Sequence, residues 1–456
     1  MTALSTLPER RPVDPAAPRV PAVVVDVDVA EPLPFVDAHD SHGRRHCEAW
    51  VTVRAFTEPV AQVVVPLGPE GLTAEQLAAA VAEGAGGALR GPLEAAGVVF
   101  DGTLPVGGVR AGRTPPFLAG RAAVLAEAPA ITAVVCTRGS PPGLEACLVS
   151  LVRQEYPDFE ILVVDNAPEG DGCEALAGRL AGAVRLRRVV EPRPGLSFAR
   201  NRAIDEAASD LLAFIDDDEV ADPNWLTELA RGYAEHPEAG AVAGLVLPGE
   251  LDTAAQVYFE RWGGHSKGRG FEHAVFSAAT VDPLFPRPCF GTGANMSFRR
   301  SALERIGRFD EALGAGSPTR AGEDTLAFSE LLYLGETSVY RPSALTRHFH
   351  RRELDQLATQ FEALGSGLSS FYASLAVRHP RVVPALVGLV VRAGGHRLAG
   401  RGAGGDWEGM PAGFRAARRR GLLRGPFRYA VARRRLRRRP AGPLDEASRP
   451  ERRAAR

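Results

Sequence analysis

Three consecutive carboxylates, Asp216-Asp217-Asp218, follow directly on the apolar run Leu211-Leu212-Ala213-Phe214-Ile215. A short apolar run cut off by charge reads as a buried strand of a parallel sheet. Open α/β sheets bind ligands just beyond the carboxyl ends of such strands. Adjacent carboxylates repel one another and stay ionised cheaply only where a cation or a ligand's donors share their space. Side chains two apart in an extended chain face one side together, which pairs Asp216 with Asp218. Hard oxygen ligands suit Mg²⁺ or Mn²⁺, which take one or two carboxylates together with substrate phosphates. The competing expectation is a solvated acidic turn opening a helix near Pro223.

The elements that must position these residues alternate strand and helix from Ala130 onward, as βαβ units do. Strands are expected at Ile131–Cys136, Glu160–Val164, Leu211–Ile215 and Ala241–Leu247. Helices are expected at Leu144–Gln154, Leu196–Ser209 and Trp225–Glu235. Thr137-Arg138 then ends the first strand and Asp165-Asn166 the second. Polar pairs at successive carboxyl ends, joined by the acidic triplet, point to a nucleotide-binding crevice.

Several motifs in this order resemble the family-2 glycosyltransferases of the GT-A fold. They are Val163-Val164-Asp165-Asn166, Gly195-Leu196-Ser197-Phe198-Ala199-Arg200-Asn201, the Asp216–Asp218 triplet and Pro223-Asn224-Trp225-Leu226. Further on come Gly293-Ala294-Asn295-Met296-Ser297-Phe298-Arg299-Arg300, Gly307-Arg308-Phe309-Asp310-Glu311 and Gly322-Glu323-Asp324-Thr325. The resemblance spans about residues 130 to 352 and implies a Rossmann-like mixed sheet flanked by helices. It also implies roles. Asp165 would take the base of a nucleotide diphosphate sugar, with Thr137, Arg138 and Arg200 in the same pocket and Asp217 and Asn295 among the donor-binding residues. Asp216 would lie near the ribose and the metal, and Asp218 would ligate the metal.

Transfer from such a donor leaves a charged diphosphate, which a divalent cation stabilises. The acceptor hydroxyl needs a general base on the opposite face. Glu323-Asp324 qualifies, opening an apolar helix after Gly314-Ala315-Gly316, with Asp324 as base and Glu323 as orienting contact. The competing expectation is that the pair only caps that helix. His348 and His350 form a His-x-His that faces one side, and the resemblance makes His348 a candidate third metal ligand. A basic strand end touching phosphate is the alternative. The Gln-x-x-Arg-Trp signature of processive members is absent, since Gln356 and Gln360 lack it, and this favours adding a single sugar.

The 456 residues are 45% hydrophobic, enough for two or three cored domains. Residues 1–19 read as a disordered leader and 20–125 as a small α+β domain of unknown role, with a helix opened by a Thr73/Gln76 capping box. Gly102–Gly120 reads as a linker, 353–413 as a helical extension and 414–456 as an Arg-rich tail. Five cysteines without a CxxC pair read as reduced core thiols. With no signal peptide, and the apolar stretch Val382–Val391 too short to span a bilayer, a cytoplasmic protein is expected. The basic tail suits an anionic membrane surface at the inner face better than nucleic acid, the competing expectation being a solvated helix with no partner. The acceptor would then be lipid-linked or a cell-envelope glycan. The rival functions are a nucleotidyltransferase, for which Thr137–Pro142 is a weak phosphate loop, and a non-catalytic sugar- or nucleotide-binding scaffold.

Overall fold

The computed structural model describes residues 18–168, 170–182, 184–266, 268–282, 291–388, 407 and 409–438. Most of the expected leader, Cys289, the end of the 382–391 apolar run, much of the expected extension and the chain beyond 438 lie outside the described residues.

Period-two valines form β1 (Ala22–Asp28), which pairs parallel with β2 (Glu48–Ala55); β2 and β3 (Glu58–Pro66) make a hairpin. Helix α1 (Ala74–Ala95) starts at Thr73, whose hydroxyl accepts from the Gln76 N–H while the Gln76 side chain accepts from the Thr73 N–H. Its stripe Leu77, Val81, Ala85, Leu89 and Leu93 is buried against this sheet.

The Gly102–Gly120 stretch is not the expected linker. Leu104 and Val109 are buried in the N-terminal core, and helix α2 (Pro116–Ala126) begins inside the stretch. Pro115-Pro116 reads as a break in the sequence, yet proline is favoured at a helix's first turn, where no N–H is needed.

The larger sheet contains β4 (Ile131–Thr137), β5 (Phe159–Asn166), β6 (Leu186–Glu191) and β7 (Leu211–Asp216), parallel neighbours in the order β7-β4-β5-β6. Helices α3 (Leu144–Val152), α4 (Gly172–Leu180) and α5 (Leu196–Glu206) link them. There follow β8 (Glu219–Ala221), α6 (Trp225–Glu235), β9 (Ala239–Pro248), α7 (Ala254–Arg261), β10 (Ala274–Phe276), β11 (Asn295–Arg299), α8 (Arg300–Arg305), α9 (Glu323–Tyr333) and β12 (Thr337–His348). Beyond β7 the sheet continues β11-β9-β12-β10, with β11 antiparallel to both neighbours and β12 parallel to β9. The carboxyl ends of β4, β5, β7, β9 and β12 therefore open on one edge. This is a mixed α/β sheet flanked by helices, as the sequence predicts. Both faces are covered, by Leu148, Ile161 and Trp225 on one side and Leu162, Phe298 and Phe328 on the other. That cover is why the strands read as continuous apolar runs.

Several contacts join the N-terminal sheet to the rest of the chain, among them Arg54 to Asp222 at 2.7 Å and the Ala22–Leu251 bridge. Arg121 of α2 is buried between Glu228 of α6 and Glu58 of β3. Arg347 of β12 donates to the Thr52 hydroxyl of β2 at 3.1 Å.

Helices α10 (Leu354–Arg378) and α11 (Ala412–Arg438) pack side by side. A Cβ on Gly421 would stand 2.0 Å from the Glu362 carbonyl, so only glycine permits this crossing. Glu362 accepts from Arg428 at 2.7 Å and Arg424 at 3.2 Å. Over its described part the Arg-rich segment is thus one half of a helix pair rather than a free tail. No described helix is long and apolar enough to cross a membrane.

Candidate active site

The common strand edge opens into a cleft of about 850 Å³. Thr137 and Arg138 after β4, Asn166 after β5 and the triplet after β7 form one wall, and Glu323 and Asp324 of α9 stand in the same cleft with His348. All three acidic residues line it, but each has its own partner. Asp217 accepts from the Thr137 hydroxyl at 2.6 Å. Asp216 lies 3.5 Å from Arg200, and Asp218 lies 3.3 Å from His348 Nε2 and 4.0 Å from Arg351.

Their electrostatics differ accordingly. Burial pushes Asp216 up to about 7 against the pull of Arg200, and Asp218 and Asp217 raise it further. Asp217 rises to about 6, mainly through burial, with the Thr137 hydrogen bond opposing. Burial also raises Asp218, but His348 beside it outweighs this and holds the carboxyl below its usual range. His348 is penalised by burial, yet Asp218 raises its pKa overall. Crowded acids whose charge is resisted by burial and by one another form a donor set that a hard divalent cation fits.

Arg200 is the hub of the far wall. Held on α5 and 2% exposed, it donates to Glu323 Oε1 at 2.8 Å and to the Gly293 carbonyl at 3.0 Å. Burial raises the Glu323 pKa, and its Oε2 has no hydrogen-bond partner. Asp324 accepts from the Gly293 N–H at 2.8 Å and, through its other oxygen, from the Thr325 N–H at 2.6 Å. Gly322 precedes them with φ +102°, and a Cβ there would stand 2.6 Å from the Gly367 carbonyl of α10. Glycine thus lets α9 begin against α10 with both carboxylates turned into the cleft.

Two expected donor contacts lie beneath the cleft instead. Asp165 is fully buried and receives Arg188 at 2.8 Å and the Gly139 N–H at 3.3 Å, so it anchors the loop after β4. Asn295 is also fully buried. It accepts from the Trp225 indole at 2.9 Å and donates to the Leu245 and Ala344 carbonyls at 3.0 and 2.7 Å, which joins three strands and a helix. Both of its N–H donors are thereby committed, so Asn295 has no donor left for a ligand.

The opposite side of the cleft was not legible in the sequence. Trp262 after α7, Gln360 and Tyr372 of α10 and Arg418 of α11 line it. They belong to no motif and meet only because α10 and α11 fold back over α7. Arg351, next to the His-x-His, was the one hint of cationic lining on this side.

A strand-edge cleft with an acidic triplet on one wall and a carboxylate pair on the other could hold a metal-bound diphosphate opposite a general base. Residues 132–307 match the family described as glycosyl transferase family 2, which makes this segment a family-2 glycosyltransferase domain. The chain is 27% identical over 243 residues to the glucosyl-dolichyl phosphate glucuronosyltransferase of Haloferax volcanii, covering 51% of this chain and 72% of that one. It is 31% identical over 217 residues to the succinoglycan biosynthesis protein ExoM of Rhizobium meliloti, covering 46% and 63%. With the pre-mycofactocin glycosyltransferase of Mycobacterium tuberculosis it shares 27% identity over 260 residues, covering 56% and 50%. The chain thus spans between 50% and 72% of the length of these relatives. Among solved structures it is similar to a mannosyltransferase of Pyrobaculum calidifontis in complex with GDP-Man and Mn²⁺, at 18% identity and TM-score 0.41, covering 73% of this chain and 85% of that one.

Proposed function

We propose that this protein moves one sugar from a nucleotide diphosphate sugar to an acceptor hydroxyl, with inversion at the anomeric carbon and with help from Mg²⁺ or Mn²⁺. The observation that carries the reading is the meeting of the Asp216–Asp218 triplet and the Glu323-Asp324 pair across one cleft. Asp216 and Asp218, with His348 beside Asp218 as a third ligand, would hold the cation, which when bound offsets the charge that develops on the leaving diphosphate. Thr137 and Arg138 border the donor, with Thr137 fixing Asp217. Asp165 and Arg200 serve the donor side from behind, as anchors of its walls. Arg200 also fixes Glu323. Asp324, held by two backbone N–H groups, takes the acceptor proton. A base on α9 stands across from the carboxylates on β7, as attack opposite a leaving group requires.

The acceptor side supports a lipid-linked or envelope-glycan substrate presented at a membrane surface. On α11, Leu423 and Phe427 are 83% and 74% exposed, one turn apart, and Arg419, Arg420 and Arg434 flank them on the exposed face. An apolar pair bordered by arginines matches an anionic bilayer interface. One relative, the Haloferax volcanii enzyme, is named for a glucosyl-dolichyl phosphate, which supports this placement.

A thermal-shift screen of nucleoside diphosphates, with and without Mn²⁺, tests the donor half. One nucleotide should stabilise the protein, and only with the metal present. If no nucleotide shifts the transition under either condition, the reading fails.

A further inference from the structure

The loop that carries Glu323 and Asp324 into the cleft also holds a cation that the transfer step leaves unused. Thr319 is fully buried, and its hydroxyl donates to the Ala312 carbonyl at 3.1 Å and lies 2.7 Å from the Ser317 hydroxyl. The chain is thus pinned one residue before Arg320. Arg320 itself has φ +70°, in the left-handed region that is costly for a residue with a Cβ and that glycine adopts freely. Such strain persists only where the surrounding structure enforces it, and it gathers at ligand-binding positions. Arg320 is exposed and lines the cleft, and among the described residues its guanidinium makes no hydrogen bond or ion pair. The neighbouring acids do not claim it: Glu323 has Arg200, and Asp324 has the N–H groups of Gly293 and Thr325.

The wall against this loop has the opposite character to the acidic one. A Cβ on Gly367 would stand 2.6 Å from the Ala321 Cβ, so glycine lets the loop press directly on α10. To either side of that crossing, Gln360, Leu364, Leu368 and Tyr372 recur at every fourth residue, which puts them on one helix face, and all four line the cleft. Among the described residues, no carboxylate of α10 lines it. Arg418 of α11, whose guanidinium stands 5.3 Å from the centre of the Trp262 ring, adds a second cation on this side. An apolar stripe bordered by guanidinium groups complements a molecule with a hydrocarbon part and an anionic head. The planar fork of arginine matches the paired oxygens of a phosphate.

We propose that Arg320 binds the phosphate of a prenyl-phosphate-linked acceptor, whose hydrocarbon lies along Leu364 and Leu368. The assignment deepens the acceptor half of the proposed transfer and rests on it. Arg320 precedes Asp324 by four residues on the same loop, so one element holds both the charged group of the acceptor and the base that takes its proton. The strained backbone then has a function: it turns the guanidinium toward the cleft where a glycine would leave no side chain at all. Arg320 sets which acceptor is taken and has no part in holding the nucleotide.

Calorimetric titration of full-length protein with geranyl phosphate tests this. Wild type should bind it more tightly, by about tenfold or more, than either geraniol or inorganic phosphate. Arg320→Gln should weaken geranyl phosphate by about tenfold or more and leave geraniol unchanged, since a charge-assisted pair is lost. Arg320→Gly should lose the same binding yet melt no lower than wild type, because glycine suits the left-handed backbone. Equal affinity for geranyl phosphate and inorganic phosphate would reduce the site to a plain anion contact and overturn the proposal. Unchanged affinity in Arg320→Gln, or a marked fall in melting temperature in Arg320→Gly, would overturn it too, leaving a solvated or a structural arginine. Stabilisation by nucleoside diphosphate with Mn²⁺ should be the same in Arg320→Gln and wild type. Its loss in Arg320→Gln alone would move Arg320 to the donor side and overturn the proposal while the transfer reading stands. Its absence from the wild type, with geranyl phosphate still bound, would instead defeat the transfer reading and the acceptor role together.

Discussion

Glu323 and Asp324 are neighbours in different company. Glu323 is tied to Arg200, while Asp324 is held by the N–H groups of Gly293 and Thr325. Asp324→Asn preserves size and the oxygen that accepts from a backbone N–H, so the melting temperature should stay near wild type. Turnover should fall by about 10²–10⁴-fold, the usual worth of a positioned base. A kcat within a few-fold of wild type would leave Asp324 as a helix cap and point to Glu323. The cleft thiol offers a separate test of its electrostatics. Burial pushes Cys136 up to about 12, with Asp216 and Asp217 adding to it and Arg200 opposing. The thiolate is the reactive form, so at pH 8 Cys136 should be held mainly as the unreactive thiol. Native protein should therefore label slowly there and faster as pH rises, while denatured protein labels at once. Quick native labelling of Cys136 at pH 8 would contradict the buried environment.

Among the elements, long apolar runs were legible and short or edge elements were not. β4, β5, β7 and β9 are covered on both faces and announce themselves as uninterrupted hydrophobic segments. β6, with Arg187 and Arg188 in its middle, lies at the end of the sheet, where the arginines pair with Glu160 and Asp165. Its pattern looks like a loop because tertiary ion pairs, not apolar burial, hold it. β8 has three residues and exists only by pairing with β12. Helix α5 was expected to reach Ser209 and stops at Glu206, where Ala207 turns extended. The candidate site shows the same division. The carboxylates that line the cleft stand out because charge at strand ends is conspicuous, whereas the buried place of Asn295 was not legible because a motif asparagine looks alike whether it faces a ligand or three strands. At the α10–α11 crossing, Gly421→Val should force the helices apart, destabilising by about 1–3 kcal/mol as overpacking does. Amide exchange across residues 412–438 should accelerate in that variant; unchanged protection would show that the crossing tolerates a side chain.

At the scale of the whole molecule, two surfaces can be tested. Replacing both Leu423 and Phe427 by Ser should lower co-sedimentation with anionic liposomes while leaving transfer to a soluble acceptor intact. Binding of the unaltered protein should weaken steeply with salt, since exposed arginines are screened. Full-length protein that ignores anionic vesicles at low salt would remove the membrane from the account. Between the two sheets, Arg121→Met leaves the fully buried Glu228 with Arg231 at 3.4 Å and Arg341 at 3.5 Å. Breaking one arm of a buried ionic cluster should cost up to about 3 kcal/mol, visible as a lower melting temperature.

The position of β12 bears on how this protein can be handled in pieces. The strand lies outside the 132–307 family segment, yet it is built into the sheet between β9 and β10. A fragment ended at residue 307 would strip one flank from β9, all ten residues of which are buried. A long apolar strand with a bare edge recruits other chains. Such a fragment should precipitate on expression, and it would also lack Glu323, Asp324 and His348. The stretch that is easiest to recognise is therefore not one that can be excised, and soluble shortened forms should retain the chain at least through the end of β12.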